Sequence, residues 1–285
     1  MVTTMNRCLD GEQELIVVDN ASSEPPRAEA AAWKGPGRVI ELERNVGFGA
    51  ASNVGVAEAT GEATVLLNPD TELLDDGLDR LVAESLELGA LVGPRVLNPD
   101  GSVQPSASGP EVGAWPWVRA LVPAAIQPAS LLARTEPYRL ERALDVSWLT
   151  GCCVAGPTAL LRRLGPFDPA LHLFGEDVDL GLRAGAAGVR SRFDPALCRI
   201  VHHGQGSSTI AYGSREGWRP TGTLNWRAAV RRAYGPRREW LGWRALRLNL
   251  RLRLLAKRAL GRATPRDRAA VEAVVSARPV PDLSR

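Results

Sequence analysis

The sequence predicts an α/β fold in which a mostly parallel sheet carries helices on both faces and is followed by a basic helical extension. Three observations lead there. Short apolar runs end repeatedly in polar turns, helical patterns fill the intervals, and basic residues crowd toward the C-terminus while the acids lie mostly before Asp194.

Glu14-Leu15-Ile16-Val17-Val18, stopped by Asp19-Asn20-Ala21-Ser22-Ser23, reads as a buried parallel strand ending in a polar turn. Such carboxyl ends are where α/β sheets bind ligands. Arg38–Leu42 is the second strand; it ends at Arg44-Asn45-Val46-Gly47-Phe48-Gly49, and small residues continue as a helix through Ala57. Gly47 and Gly49 permit tight backbone, and a helix opening there offers bare amides to a phosphate, although close helix packing asks for the same glycines. Ala63–Leu67 is the third strand. Pro69 stops it and holds Asn68 extended, presenting Asn68 and Asp70 at its end.

A helix follows, with Leu74, Leu78, Leu81, Val82, Leu86 and Leu88 at helical spacing, and Ala90–Gly93 makes a fourth strand. Asn98-Pro99-Asp100-Gly101 is a turn, Ser102–Pro110 a loop, and residues 112–140 show no clean period. Val146–Val154 is strand-like, Pro157 suits the first turn of a helix through Leu164, and Gly165-Pro166-Phe167-Asp168 breaks that helix. Glu176, Asp177 and Asp179 come next. A strand would scatter them over both faces, whereas a helix opening after Gly175 gathers them at one end, where the macrodipole favours negative charge. A plain acidic helix start accounts for them equally. Another short strand near Val189–Phe193 precedes Ile200-Val201-His202-His203.

From Trp226 to Arg262 the chain mixes Trp, Leu and Arg; on a helix Arg244, Arg247, Arg251 and Arg258 form one basic stripe. The stripe fits an anionic membrane surface, with Trp240 and Trp243 at headgroup level, or simple packing on the preceding domain. The 35 Lys and Arg against 32 Asp and Glu give no argument for nucleic acid. Four cysteines without C-x-x-C spacing suggest reduced thiols and a cytoplasmic setting. Neither a spanning apolar run nor a signal peptide is evident, so a soluble or membrane-peripheral protein is expected.

Taken in order, these motifs resemble the family 2 glycosyltransferases, in particular the rhamnosyltransferase-like branch of bacterial cell-wall and surface polysaccharide synthesis. Val17–Ser22 is similar to the family's nucleotide-binding turn, and Arg44–Gly49 with Asn53 and Gly55 to its next loop. Leu66-Leu67-Asn68-Pro69-Asp70 resembles the D-x-D metal motif. Trp148-Leu149-Thr150-Gly151, Gly165–Asp168 and Gly175–Leu180, closed by His202 and Ser207, resemble the acceptor-side segment.

The resemblance implies a GT-A domain over residues 1–225, with a basic helical extension over 226–285. It implies inverting transfer of a sugar, with rhamnose as the first guess, from a nucleotide-diphosphate donor to a glycan or lipid-linked acceptor, assisted by Mg or Mn. Asp177 would be the base and Glu176 its support, while Asp179 caps the helix and Arg183 pairs with a nearby acid. Asp70 and His202 would reach the metal or diphosphate. Asp19, Asn20, Asn45, Gly47, Asn53, Asn68, Trp148 and Gly151 would line the substrates.

Two departures stand out. Asn68 replaces the first carboxylate of D-x-D, which weakens the case for tight metal binding. The family also starts with a strand and helix ahead of the one at Glu14–Val18. Here only Val2–Arg7 echoes the intervening turn, and the stretch to Glu14 is shorter than the roughly ten to twelve residues of a crossover. Either the start is placed too late or a central strand is missing, and the second case would open an edge in the sheet. The rival readings are a non-catalytic sugar-nucleotide binder, a nucleotidyltransferase, whose Gly-rich and Lys start is missing, and a basic membrane-associated scaffold.

Overall fold

The computed structural model describes residues 1–171, 174–204 and 218–276; Ser207 lies outside the described residues. The chain starts with helix α1 (Val2–Cys8) and alternates through β1 (Leu15–Asp19), α2 (Arg27–Ala31), β2 (Gly37–Glu41), α3 (Phe48–Glu58) and β3 (Ala63–Leu67). Next come β4 (Thr71–Leu73), α4 (Leu78–Leu88), β5 (Leu91–Gly93), β6 (Arg95–Leu97), β7 (Ala107–Ser108), α5 (Trp115–Leu121) and α6 (Ala129–Thr135). Strands β8 (Leu144–Val146), β9 (Trp148–Leu149) and β10 (Cys153–Pro157) lead to α7 (Thr158–Leu164), α8 (Glu176–Ala186), β11 (Ser191–Phe193) and β12 (Arg199–His202). Helices α9 (Trp218–Tyr234), α10 (Pro236–Ala259) and α11 (Pro265–Ser276) follow.

The α/β fold class holds, but the sheet is mixed rather than mostly parallel. Its order is β3-β10-β5-β11-β8, and β10 runs antiparallel to both β3 and β5. The cause is where the chain re-enters. The segment after β6 is spent over the carboxyl end of β3, so β10 starts beside Leu67 and must run back. Val146–Val154 is accordingly broken into three pieces, with Thr150-Gly151-Cys152 turning between β9 and β10.

Strands β1 and β2 pair in parallel, from Leu15↔Gly37 to Asp19↔Glu41, as a sheet of their own. Among the described residues no strand joins β1 to β3, which leaves an edge on each. Val2–Arg7, expected as a turn, is instead helical. Met5 is buried and Met1, Val2 and Cys8 pack on the core that includes Leu73, Val92 and Cys153. Leu74 is likewise outside the helix predicted for it and 40% exposed, while Leu78 and Leu81 of α4 are buried. That helix stops at left-handed Gly89, as its glycine suggests.

The predicted boundary between residues 225 and 226 falls inside α9, which packs on α8. Arg227 and Glu239 form a buried ion pair between α9 and α10 at 2.5 Å, and Arg227 also lies 4.5 Å from the ring centre of Trp243. Trp243 is therefore 6% exposed, and of the two tryptophans expected at a membrane surface only Trp240 faces outward. The stripe arginines Arg244 and Arg247 lie over Trp240 and Trp243 respectively.

Candidate active site

The turn into α8 sets the geometry. Phe174 and Gly175 have φ of 66° and 87°, and a Cβ on Gly175 would come within 2.7 Å of Asn225 Cβ on α9. Only glycine fits there. Asn225 Nδ2 donates to Phe174 O at 2.6 Å, so the C-terminal helices hold the turn that aims the acids.

Glu176 is 6% exposed, and its Oε2 has no hydrogen-bond partner among the described residues. Asp177 accepts the N–H groups of Val178 and Gly151 at 2.8 and 3.3 Å. Burial, reinforced by the Asp177 charge, pushes the Glu176 carboxyl up to about 8, and burial raises that of Asp177 too. Two acids of which one readily keeps a proton suit proton transfer.

Asp179 plays another part. It makes no cap; it lies 1% exposed between Arg183 Nε and Arg232 Nη1 at 2.6 and 2.9 Å. The expected partner for Arg183 is thus Asp179, and Arg232, which also donates to Asp168 at 2.7 Å, ties α9 to the site.

At the end of β3, Asn68, Asp70 and His202 converge. His202 Nε2 is 3.3 Å from both Asp70 Oδ1 and Asn68 Nδ2, and Asn68 Oδ1 is buried without a partner among the described residues. His203 points elsewhere, to Glu72 at 2.8 Å. A carboxylate, an imidazole nitrogen and an orphaned carbonyl oxygen suit Mg or Mn, whose remaining positions take water or phosphate oxygens. Only Asp70 and His202 are strong donors; no group of three or more His, Cys, Asp or Glu gathers among the described residues. Cys152 follows Gly151, whose N–H meets Asp177, and its own carbonyl accepts Asn68 N–H at 3.0 Å. Burial pushes its thiol up to about 12, with the charges of Asp177 and Asp70 adding to the shift, so it is inert as a nucleophile.

The residues expected to line the nucleotide hold one another in place. Asp19, 5% exposed, accepts Ser22 N–H at 3.1 Å in an Asx turn. Asn20 donates to Asn45 Oδ1 at 3.1 Å and accepts Val46 N–H at 2.9 Å, while Asn45 accepts Gly47 N–H at 2.9 Å. These bonds fix the end of β1 to the start of α3, where Gly47 has φ of 92°. The Asn53 amide clamps the backbone of Phe167, donating to O at 2.7 Å and accepting from N–H at 2.9 Å.

Trp148 lines a cavity of about 500 Å³ together with Glu176, Asp177, Glu111, Trp226 and Arg253. Glu111, 3% exposed, accepts both indole N–H groups, from Trp148 at 2.9 Å and Trp226 at 3.1 Å, and the Ser108 hydroxyl at 2.7 Å. Glu111 and Trp226 escape the sequence reading. Glu111 stands between the loop ending at Pro110 and the aperiodic residues 112–140, and Trp226 in the arginine-rich tail, so only the tertiary structure joins them.

A family model described as Glycosyl transferase family 2 matches residues 3–162. An N-acetylglucosaminyl-diphospho-decaprenol L-rhamnosyltransferase of Mycobacterium tuberculosis is 29% identical over 217 residues, covering 66% of this chain and 66% of that protein. The O-antigen biosynthesis protein RfbC of Myxococcus xanthus is 32% identical over 203 residues, covering 67% of this chain but 15% of its own length. The mannosyltransferase PcManGT of Pyrobaculum calidifontis, solved with GDP-Man and Mn2+, shares the fold with a TM-score of 0.56, at 17% identity over 96% of this chain and 83% of that one.

Proposed function

Because the chain belongs to the family 2 glycosyltransferases, we propose that it transfers a sugar, with inversion, from a nucleotide-diphosphate donor to a glycan or lipid-linked acceptor in cell-surface polysaccharide synthesis. The rhamnosyltransferase relative supports rhamnose as the first sugar to try. One observation carries the reading: Asp177 opens on a cavity walled by Trp148 and Trp226, while Asp70 and His202 meet at the end of β3, which the Gly151-Cys152 turn joins to Asp177.

In this scheme the acceptor hydroxyl lies in the cavity and gives its proton to Asp177 as its oxygen attacks the anomeric carbon. The donor's bond to diphosphate breaks on the opposite face, with no covalent intermediate. Glu176 holds Asp177 and the acceptor in place, and the two tryptophan faces pack against acceptor sugar rings. A divalent cation bound at Asp70 and His202 would neutralise the diphosphate that leaves. Asp19, Asn20, Asn45 and Gly47 support the nucleotide by shaping the backbone it meets.

No helix among the described residues is long and apolar enough to cross a membrane. Helix α10 does expose Trp240, Leu241, Leu252 and Leu255 beside its basic residues. That surface supports peripheral contact with the cytoplasmic membrane face, where lipid-linked acceptors reside.

The test is nucleoside-diphosphate release from a panel of donors, with and without Mn2+ or Mg2+, in the presence of lipid-linked acceptor extracts. Metal-stimulated, acceptor-dependent release that falls roughly 10²–10⁴-fold in Asp177→Asn is the expected outcome. Full transfer by Asp177→Asn refutes the base. Donor binding without turnover in the parent favours the non-catalytic reading.

A further inference from the structure

A polar chain that starts in the turn after β6 decides which ring nitrogen of His202 faces Asp70. Gly101 N–H closes the Asn98–Gly101 turn on Asn98 O at 2.9 Å, with Gly101 at φ of 79°. The chain then returns along β6, and Gln104 N–H bonds Val96 O at 2.9 Å. Because β6 also pairs with β12, Gln104 reaches the imidazole: its Oε1 is 2.8 Å from His202 Nδ1.

The direction of each bond follows from Asp100. This carboxylate accepts the Ser102 hydroxyl at 2.5 Å and the Ser102 N–H at 2.9 Å, bonds that hold its pKa below the usual range. With its proton spent there, Ser102 Oγ accepts from Asn98 Nδ2 at 2.9 Å. Asn98 therefore turns its oxygen to Gln104 Nε2, also at 2.9 Å, and the other Gln104 N–H is directed at His202 O at 3.4 Å. What remains to His202 Nδ1 is the Gln104 oxygen, which can only accept. The proton of the neutral ring sits on Nδ1, and the Nε2 lone pair faces Asp70 Oδ1 at 3.3 Å. Asn68 Nδ2 lies 3.3 Å from the same Nε2 and donates to its lone pair, and a divalent cation would take the place of that donor beside Asp70.

We propose that Gln104 is a positioning residue: the chain Asp100, Ser102, Asn98, Gln104 locks the Nδ1–H tautomer of His202 and keeps its Nε2 lone pair available, beside Asp70, to a divalent cation. This rests on the transfer reading for the purpose of the cation, and its chemistry is testable without transfer. Partners of this kind on a ligating histidine commonly change metal affinity by roughly 10–100-fold when removed.

The chain has three histidines, so long-range proton–nitrogen correlation spectra of the ¹⁵N-labelled full chain contain few imidazoles, and His202→Gln assigns the relevant one. The expected spectrum shows neutral His202 protonated on Nδ1. Mn2+ alone should broaden its signals, with the midpoint moved roughly 10–100-fold higher in Gln104→Leu and kept near the parent's in Gln104→Glu, which retains an acceptor. A proton on Nε2 in the metal-free parent, or Gln104→Leu binding Mn2+ as the parent does, overturns the proposal. If tautomer and Mn2+ response are as expected but no donor is turned over, the transfer reading falls and the role of Gln104 stands.

Discussion

Gly151 donates its backbone N–H to Asp177 Oδ2 at 3.3 Å, fastening the turn before β10 to the first turn of α8. The bond comes from the main chain, so the Asp177 carboxylate is oriented by the path of the backbone. A Cβ at Gly151 would meet Asp177 Cβ, Phe48 and Phe167 at 3.6–3.7 Å, ordinary contact distances. Position 151 thus needs its N–H in place more than it needs to be glycine.

The acid pair predicts a pH dependence. Burial raises Asp177 above the ordinary carboxylate range, so transfer should climb with pH above that range, while Glu176, raised to about 8 by burial and by the charge on Asp177, stays protonated as Asp177 ionises. Glu176→Gln keeps that position uncharged and should leave the rising limb of the pH–rate profile in place. Stability runs the opposite way. The folded chain holds a proton that the unfolded chain releases near the ordinary value of 4.5, so this contribution is complete below about 4.5 and lost as pH rises through about 8. Urea midpoints should decline over that interval in the parent and decline less in Glu176→Gln; identical profiles for the two proteins contradict the assignment.

Asp179 should matter for stability. It is 1% exposed and paired with two arginines whose side chains are 27% and 42% exposed. Asp179→Ala removes the carboxylate they share, leaving Arg183 on the carbonyls of Leu164 and Pro166 and Arg232 on Asp168, and should cost about 1.5–3 kcal/mol. A urea curve with a lowered midpoint and an unchanged slope checks this.

Glu111 should act on the acceptor. Glu111→Gln has one acceptor oxygen for two indoles, so Trp148 or Trp226 is released from its place in the cavity wall. Loss of a charge-assisted hydrogen bond of about 1.5–3 kcal/mol corresponds to an acceptor KM raised by roughly 10–100-fold. The KM for the donor should stay put; a matching rise in both constants would point to general unfolding of the site.

Two glycines of α8 should respond oppositely to alanine. A Cβ on Gly181 would lie 2.4 Å from Trp148 Cβ and 2.6 Å from Ser147 O, so Gly181→Ala forces β9 away and should destabilise by about 1–3 kcal/mol. Nothing lies within 4 Å of a Cβ on Gly185, and Gly185→Ala should stabilise by about 0.5–1 kcal/mol. Thermal melts of the two variants beside the parent decide it.

Much of the site's skeleton is legible in the chain order. Apolar runs predict β1, β3 and β5, Pro69 ends β3 with Asn68 and Asp70 presented, and the glycine before Glu176 starts α8 with its acids together. All are local effects of residue type, acting over one strand or one helical turn. The same locality hides the partner of Asn53: its own segment does not contain Phe167, 114 positions away, whose backbone its amide holds.

What the sequence by itself determined is therefore where strands stop, where helices start and which acids gather there. The tertiary structure alone decided what each polar side chain faces. It ran β10 antiparallel between β3 and β5, set Glu111 between tryptophans 37 and 115 residues away, and brought Gln104 to His202 across 98 residues. Turn and strand propensities belong to neighbours along the chain, whereas a buried donor must find whichever acceptor packing delivers, and packing is a property of the whole fold.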